Sequence, residues 1–274
     1  MRRALLLLGL VAGLVRSAGA QGVVVAPHAI YVDHRTRSAS VTLYNPGAEP
    51  VETAISFLYG YPVTDSAGKL TLFEPDSVTP DMPAAHRWIE AFPKRVTIPP
   101  LTRQTVRLLA RPPQGLADGE YWARLVVTAR GGSLPVTGAD TGIRIGLTLE
   151  VRTVIPVIYR KGALRTGLAI GSITTARAGD SLVVRPRLTR EGSAAYTGTA
   201  RGSLVAPGGK TVASFSEPVA VYYDAIPAYR LPVKGLPAGS YRLRLEFATE
   251  RPDIAPELLL RAPVLRDSVE VTLP

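Results

Sequence analysis

A strict alternation of apolar and polar residues between positions 141 and 161 constrains the fold of this chain more than any other stretch. Branched aliphatic side chains occupy its odd positions, which are Ile143, Ile145, Leu147, Leu149 and Val151, and small, polar or charged residues occupy the even ones. Because successive side chains of a strand point to opposite faces, a period of two predicts a β-strand with one apolar face. At about 3.3 Å per residue the alternating part spans roughly 30 Å, about twice a typical strand.

Two interpretations of this strand are open. In the first, it is an ordinary sandwich strand whose apolar face covers the core of its own domain. In the second, part of it is an edge strand whose apolar row is held ready for another protein. An exposed apolar edge of this length would otherwise be an aggregation hazard.

Length and composition narrow the class of protein. The 274 residues suffice for two domains, each with its own core. The chain has no cysteine, so disulfides, a thiol nucleophile and a thiolate metal site are all excluded. The formal net charge is 32 − 22 = +10. Its basic residues are spread along the predicted strands, which argues against a nucleic-acid-binding tract.

The first twenty residues are typical of a cleavable secretion signal. Arg2 and Arg3 precede an apolar run at residues 4–15, and small residues at 18–20 form a cleavage site. Loss of this segment removes three arginines and leaves a net charge of 10 − 3 = +7. The apolar run is too short to span a membrane. We therefore expect an exported mature protein without a membrane span.

The rest of the first half consists of short alternating runs separated by proline, glycine, asparagine and aspartate. We predict a first strand at residues 23–32, a strand switch or edge at Pro93, and a loop at residues 130–140. The region between residues 59 and 86 has the composition of a loop, with one short strand at 69–73. Seven or so strands in about 140 residues are typical of an immunoglobulin-like Greek-key sandwich.

The same pattern begins again after Gly162, with a hairpin turn at residues 207–210. The predicted fold class is therefore all-β, with two immunoglobulin-like β-sandwich domains in tandem. The predicted boundaries are a signal peptide at 1–20, an N-terminal domain at 21–161 and a C-terminal β-sandwich domain at 162–274.

The sequence offers no catalytic constellation. Its three histidines are His28, His34 and His86, and the first two lie roughly 20 Å apart in an extended segment, too far to share a metal. The segment at residues 207–211 resembles the end of a phosphate-binding loop, but Leu204 stands where that loop needs glycine. We expect no enzymatic activity, no cofactor and no metal site.

The order of motifs in residues 21–160 resembles the N-terminal domain of periplasmic pilus-assembly chaperones. The segments that carry the resemblance are 41–45 with Pro50, 88–100, 104–107, 118–121 and 156–160. The ending Pro156-Val157-Ile158 is similar to the non-classical chaperones of spore-coat-like pili. The second half matches this family only as a second sandwich of suitable size.

The resemblance implies a function in pilus or fimbrium biogenesis at the cell surface. In that family the last strand of the first domain is donated into the groove of a pilin subunit whose own fold lacks one strand. The matching donor residues are Leu147, Leu149 and Val151, and Ile145 and Ile143 extend the row. The implied partners are pilin-like or spore-coat-like subunits and an outer-membrane usher, and the implied location is the periplasm. Self-association through the same edge is a further expectation.

The sequence departs from the family where the subunit's C-terminal carboxylate is anchored. The family's arginine position falls on His28, and its lysine position falls on Pro156. A partly charged His28 and the cation of Arg152 are the available substitutes. The alternative is that His28 is a plain strand residue.

Two other functions fit the same composition. One is a structural or adhesive pair of immunoglobulin-like domains, in which residues 141–151 are paired inside their own sheet. The other is binding of an anionic cell-envelope polymer through the spread arginines, which would depend strongly on salt.

Overall fold

The computed structural model describes residues 22–136 and 145–274, and the first of two β-sandwiches ends with the long alternating strand. The strands of this sandwich are β1 (Val24–Ala26), β2 (Ile30–Asp33), β3 (Ser38–Tyr44), β4 (Val51–Leu58), β5 (Tyr61–Thr64), β6 (Leu70–Phe73), β7 (Ile89–Phe92), β8 (Arg95–Ile98), β9 (Arg103–Ala110), β10 (Gly119–Val136) and β11 (Ile145–Lys161). One sheet has the order β1-β3-β9-β7 and the other has the order β2-β11-β10-β4-β8. The predicted signal peptide lies outside the described residues.

The first core lies between these two sheets and follows the alternation in the sequence. Val41 and Leu43 of β3 are buried, whereas the side chains that alternate with them face outward. Leu125 and Val127 of β10 meet them from the opposite sheet, together with Val157 of β11. We call the other side of the five-stranded sheet its outer face.

Two segments of the first sandwich cross from one sheet to the other. Pro93 separates β7 from β8, which lie in different sheets, and this confirms the predicted strand switch. The single strand predicted at residues 23–32 was wrong, because β1 and β2 also belong to different sheets. The chain bends between them after Pro27, a residue that has no N–H to give to a ladder.

The loop predicted at residues 130–140 was also wrong in its described part. Strand β10 continues to Val136 and pairs with β11 over its whole described length. Its register shifts between Arg130 and Ser133, where two glycines form a bulge. The bulge absorbs the extra residue, and the ladder resumes beyond it.

The second sandwich follows Gly162, which lies between β11 and the next strand. Its elements are β12 (Thr166–Ala178), β13 (Ser181–Gly192), β14 (Tyr196–Val205), β15 (Thr211–Val221), β16 (Asp224–Ala225), β17 (Tyr229–Pro232), β18 (Gly239–Ala248), a single 3₁₀ turn (Pro256–Leu258) and β19 (Leu265–Leu273). One sheet has the order β12-β13-β16, with β17 also paired to β13, and the other has the order β15-β14-β18-β19. The hairpin predicted at residues 207–210 joins β14 to β15. The prediction of an all-β fold with two sandwiches is confirmed.

The hairpin β5–β6, in a region predicted as mostly loop, connects the two sandwiches. The main-chain N–H of Ala228 donates to the carbonyl of Gly68 at 3.0 Å, and that of Ile226 donates to Oγ1 of Thr64 at 2.8 Å. The Arg185 guanidinium donates to the carbonyl of Ala67 at 2.9 Å. These bonds hold the second sandwich against the first.

A buried carboxylate forms a second connection. Glu120 of β10 accepts hydrogen bonds from the indole N–H of Trp122 at 2.9 Å and from the main-chain N–H of Ala195 in the second sandwich at 3.0 Å. It also forms an ion pair of 2.9 Å with Arg160 of β11, whose guanidinium reaches the carbonyl of Leu258. These contacts form the junction between the two sandwiches, and they fix the C-terminal end of β11.

Candidate functional site

The candidate site is the edge of β11 that does not face β10. Strand β11 pairs with β10 on one side, but on the other side it pairs with β2 only from Val157 to Arg160. From Ile145 to Pro156, no strand within the described ranges covers this second edge. We call this edge of β11, from Ile145 to Pro156, the open edge. A free strand edge presents a row of unpaired main-chain groups.

The direction of the main-chain groups along this edge follows from two observations. The carbonyl of Arg160 accepts from the N–H of His34 at 2.9 Å, so it points toward the β2 side. Because main-chain groups alternate in direction along a strand, those of Pro156, Val154, Arg152 and Glu150 point the same way. Pro156 has no N–H, and this direction spares the ladder with β10 from losing a bond there.

The apolar row of β11 passes from the core to the surface toward its N-terminal end. Val157 and Ile155 are buried in the first core, Val151 is half-buried, and Leu149 is 37% exposed. A Cβ atom placed on Gly22 would lie 3.5 Å from Cγ1 of Val151, so the N-terminal segment packs beside this row.

The structure describes only some of the predicted donor residues. Ile143 lies outside the described residues. Ile145 and Leu147 belong to β11 and pair with Val136 and Leu134, but their side chains are not described.

The outer face of the open edge carries opposite charges two positions apart. Glu150 is exposed and accepts from Nε of Arg130 on β10 at 2.6 Å. Arg152 is also exposed, lies opposite Thr128, and forms no ion pair within residues 22–136 and 145–274. Two cations were proposed from the sequence, His28 and Arg152. Of these, Arg152 lies on the open edge, and it forms no ion pair among the described residues.

His28 does not lie in a strand, so its interpretation as a plain strand residue was wrong. It is exposed in the bend between β1 and β2 and approaches Asp253 of the second sandwich. A hydrogen bond from Arg251 holds the pKa of the Asp253 carboxyl below its usual range, and His28 adds to that effect. The ion pair of Asp253 within the described residues is with Arg251 at 2.6 Å, and the use of His28 as a carboxylate anchor stays a prediction.

Sequence reasoning missed Arg124, which lies directly opposite Pro156 in the ladder between β10 and β11. Its side chain is only 7% exposed; Nε donates to the carbonyl of Gly60 at 2.9 Å, and the guanidinium lies over the ring of Tyr222. Nη2 is buried without a hydrogen-bond partner, and the ion pairs of the described residues do not include Arg124. An arginine inside the apolar run at residues 122–127 was the available signal.

Aromatic rings surround the junction beside this arginine. Trp122 packs edge-on against Tyr222 at a centroid separation of 4.5 Å. Arg160 lies 4.5 Å from the ring centroid of Tyr31. Burial raises the pKa of the Tyr31 phenol to about 12, although the charge of Arg160 opposes the shift. The C-terminal end of the open edge therefore lies next to a cluster of aromatic rings and arginines.

The part of the chain that the structure describes contains no group of three metal-ligating side chains. No helix there has the length and apolar character needed to cross a membrane.

Comparison with known proteins gives matches only among solved structures. No protein-family model matches the chain, and no curated protein matches it. A chain of the Salmonella enterica complex between the SafA pilin and the SafB chaperone is 14% identical, with a TM-score of 0.44, covering 92% of this chain and 99% of that chain. The YadV chaperone is 16% identical, with a TM-score of 0.45 and coverages of 91% and 99%. A chain of the Acinetobacter baumannii complex between CsuC and the tip subunit CsuE is 13% identical, with a TM-score of 0.39 and coverages of 76% and 89%.

Proposed function

We propose that this chain is a periplasmic chaperone that binds pilin-like subunits by pairing one of their strands with the open edge of β11. The observation that carries the proposal is the edge from Ile145 to Pro156, which has a partner on one side only and exposes Leu149. The resemblance of residues 21–160 to pilus-assembly chaperones supplies the class of subunit. An outer-membrane usher is the further partner that this resemblance implies.

Pairing would use main-chain and side-chain groups together. The N–H and C=O groups of Glu150, Arg152 and Val154, with the C=O of Pro156, are oriented to bond a guest strand. Leu149 and Val151 would at the same time be covered by the guest. Full burial of an aliphatic side chain contributes roughly 1.5–3 kcal/mol, and these two are already partly buried, so most of the affinity would come from the main-chain ladder. The pockets that receive Leu149 and Val151 would supply the specificity.

Arg124 is our proposal for the cation that receives the subunit's C-terminal carboxylate. It lies opposite Pro156, the position at which the resembling family has lysine, and it has no acidic partner among the described residues. Because a buried guanidinium without a counter-ion is costly, a carboxylate arriving there would be strongly favoured. Arg152 is exposed to water and would hold a carboxylate more weakly.

A structural or adhesive role would require residues 141–151 to be paired inside their own sheet on both sides. For its described residues the open edge has one neighbour, β10. The open edge therefore favours strand donation over this rival.

Hydrogen exchange on the purified protein tests the open edge directly. We expect fast exchange at the amides of Glu150, Arg152 and Val154, and slow exchange at those of Val151 and Thr153, which face β10. Addition of a pilin-like subunit diluted from urea should slow the fast set. Uniformly slow exchange at low protein concentration without a subunit would show an edge that is already covered and would refute the proposal.

A pair of matched variants tests which face of the strand meets the subunit. Leu149 and Val154 are both 37% exposed, but they lie on opposite faces of β11. Leu149→Arg should abolish formation of a one-to-one complex with the subunit in size-exclusion chromatography, whereas Val154→Arg should retain it. Equal capture by both variants would exclude donation of the apolar row.

A further inference from the structure

A cavity of about 340 Å³ lies where the β5–β6 hairpin meets the second sandwich. Residues 64–70 of the hairpin line one wall, and β15 with residues 225–230 lines the other. The hydrogen bonds that Ala228 and Ile226 donate to the hairpin join the two walls. The volume lies at the lower end of the range of about 300–1,000 Å³ that is typical of ligand pockets. The cavity therefore has the size for a small molecule.

Three charged side chains line this cavity without pairing. They are Lys69 in the turn of the hairpin, Glu217 on β15 and Arg230 on β17. All three are exposed, and none takes part in an ion pair within residues 22–136 and 145–274, although both signs are present. Opposite charges that share a cavity and do not meet leave a gap for a ligand that carries both charges.

A buried hydroxyl belongs to the same cavity lining. Tyr229 is only 2% exposed, and its ring stacks on that of Phe215 at a centroid separation of 4.6 Å. The Tyr229 hydroxyl has no hydrogen-bond partner among the described residues. Burial raises the pKa of this phenol, and the charge of Glu217 adds to the shift, so the hydroxyl and the carboxylate lie within each other's field. A buried hydroxyl without a partner is destabilising, and a ligand that hydrogen-bonds with it removes that penalty.

The three charges select the chemistry of the ligand. A simple anion would be attracted by Lys69 and Arg230 but repelled by Glu217, and a simple cation would be repelled by the two basic side chains. A zwitterion places its carboxylate toward the cations and its ammonium toward Glu217, which satisfies all three. Val219 and Ala225 add a small apolar surface that suits a short aliphatic side chain.

We propose that this cavity binds a small zwitterionic amino acid, which bridges the two sandwiches. The ligand carboxylate lies between Lys69 and Arg230 and accepts a further hydrogen bond from the Tyr229 hydroxyl, and the ammonium group pairs with Glu217. Because Lys69 belongs to the first sandwich and the other three residues to the second, binding strengthens the contact between them. The site goes beyond the proposed function, since it is separate from the open edge of β11.

Isothermal titration calorimetry of the purified mature protein tests the site, with glycine, L-alanine, L-serine and L-valine as probes. At least one probe should bind one-to-one with a dissociation constant of about 1 mM or lower. Acetate and ethylammonium, which each carry one of the two charges, should bind about tenfold or more weakly. The bound probe should also slow limited proteolysis of the β5–β6 hairpin, because opening of the hairpin breaks the bridge.

Variants of the cavity lining test the assigned contacts. Lys69→Gln, Glu217→Gln and Tyr229→Phe should each weaken binding by about tenfold or more. Tyr229→Phe removes a hydroxyl that has no partner among the described residues, so the melting temperature of the unliganded protein should not fall. Lys210→Gln and Glu270→Gln make the same changes in charge at exposed positions outside the cavity and should bind like the wild type.

Three results would each overturn the proposal. They are failure of all four probes to bind with a dissociation constant of about 1 mM or lower, binding of acetate or ethylammonium as tight as that of the best probe, and a variant of the cavity lining that binds like the wild type. The proposed function does not depend on these results, because subunit capture is measured separately.

Discussion

Replacing Glu120 by glutamine should destabilise the protein by about 3 kcal/mol. The Glu120 side chain is 1% exposed and accepts hydrogen bonds from Trp122, Ala195 and Arg160. Glutamine keeps one carbonyl oxygen for the first two donors but presents its amide N–H₂ to the Arg160 guanidinium. Breaking a buried ion pair costs about 3–5 kcal/mol. The lower end applies because the Arg160 side chain stays 18% exposed and keeps the Leu258 carbonyl.

The assay is calorimetric melting of the mature protein. A loss of about 3 kcal/mol lowers the melting temperature by about 6–12 °C in a protein of this size, at about 2–4 °C per kcal/mol. Glu120 joins both sandwiches, so the variant should also separate their transitions. The control is Glu270→Gln, which removes an exposed pair with Arg242 and should cost less than about 1 kcal/mol. If Glu120→Gln and Glu270→Gln have the same melting temperature, Glu120 does not hold the junction between the sandwiches.

Two further predictions concern other buried groups. Burial raises the pKa of Tyr196 to about 12, above its ordinary value of 10.0, so its contribution to stability is complete below pH 10 and is lost as the pH approaches 12. Tyr196 should contribute about 2–3 kcal/mol to the fall in unfolding free energy that urea denaturation shows over that range, to which Tyr31 adds its own share. Tyr196→Phe should reduce the fall by the share of Tyr196, and its hydroxyl has no hydrogen-bond partner to lose among the described residues. Gly68→Ala should loosen the β5–β6 hairpin, because the new Cβ would lie 2.5 Å from that of Ala228 at a φ of +79°. Limited proteolysis should cut this hairpin faster than in Gly208→Ala, a control with positive φ and open space.

The sequence was sufficient for the fold class because alternation is a local property. The pattern at Val41 and Leu43 needs no knowledge of the opposite sheet, and proline at position 93 is enough to exclude a central strand. The alternation is weaker in strand β12, because glycines and a register shift between Ile170 and Ile173 interrupt its period.

The site was less predictable because it depends on pairing between distant segments. The opposition of Arg124 and Pro156 is a matter of register between β10 and β11, and a local pattern does not encode it. The approach of His28 to Asp253 depends on how the two sandwiches meet. The apolar row that ends at the exposed Leu149 follows from the alternation in the sequence, whereas contacts between distant residues do not.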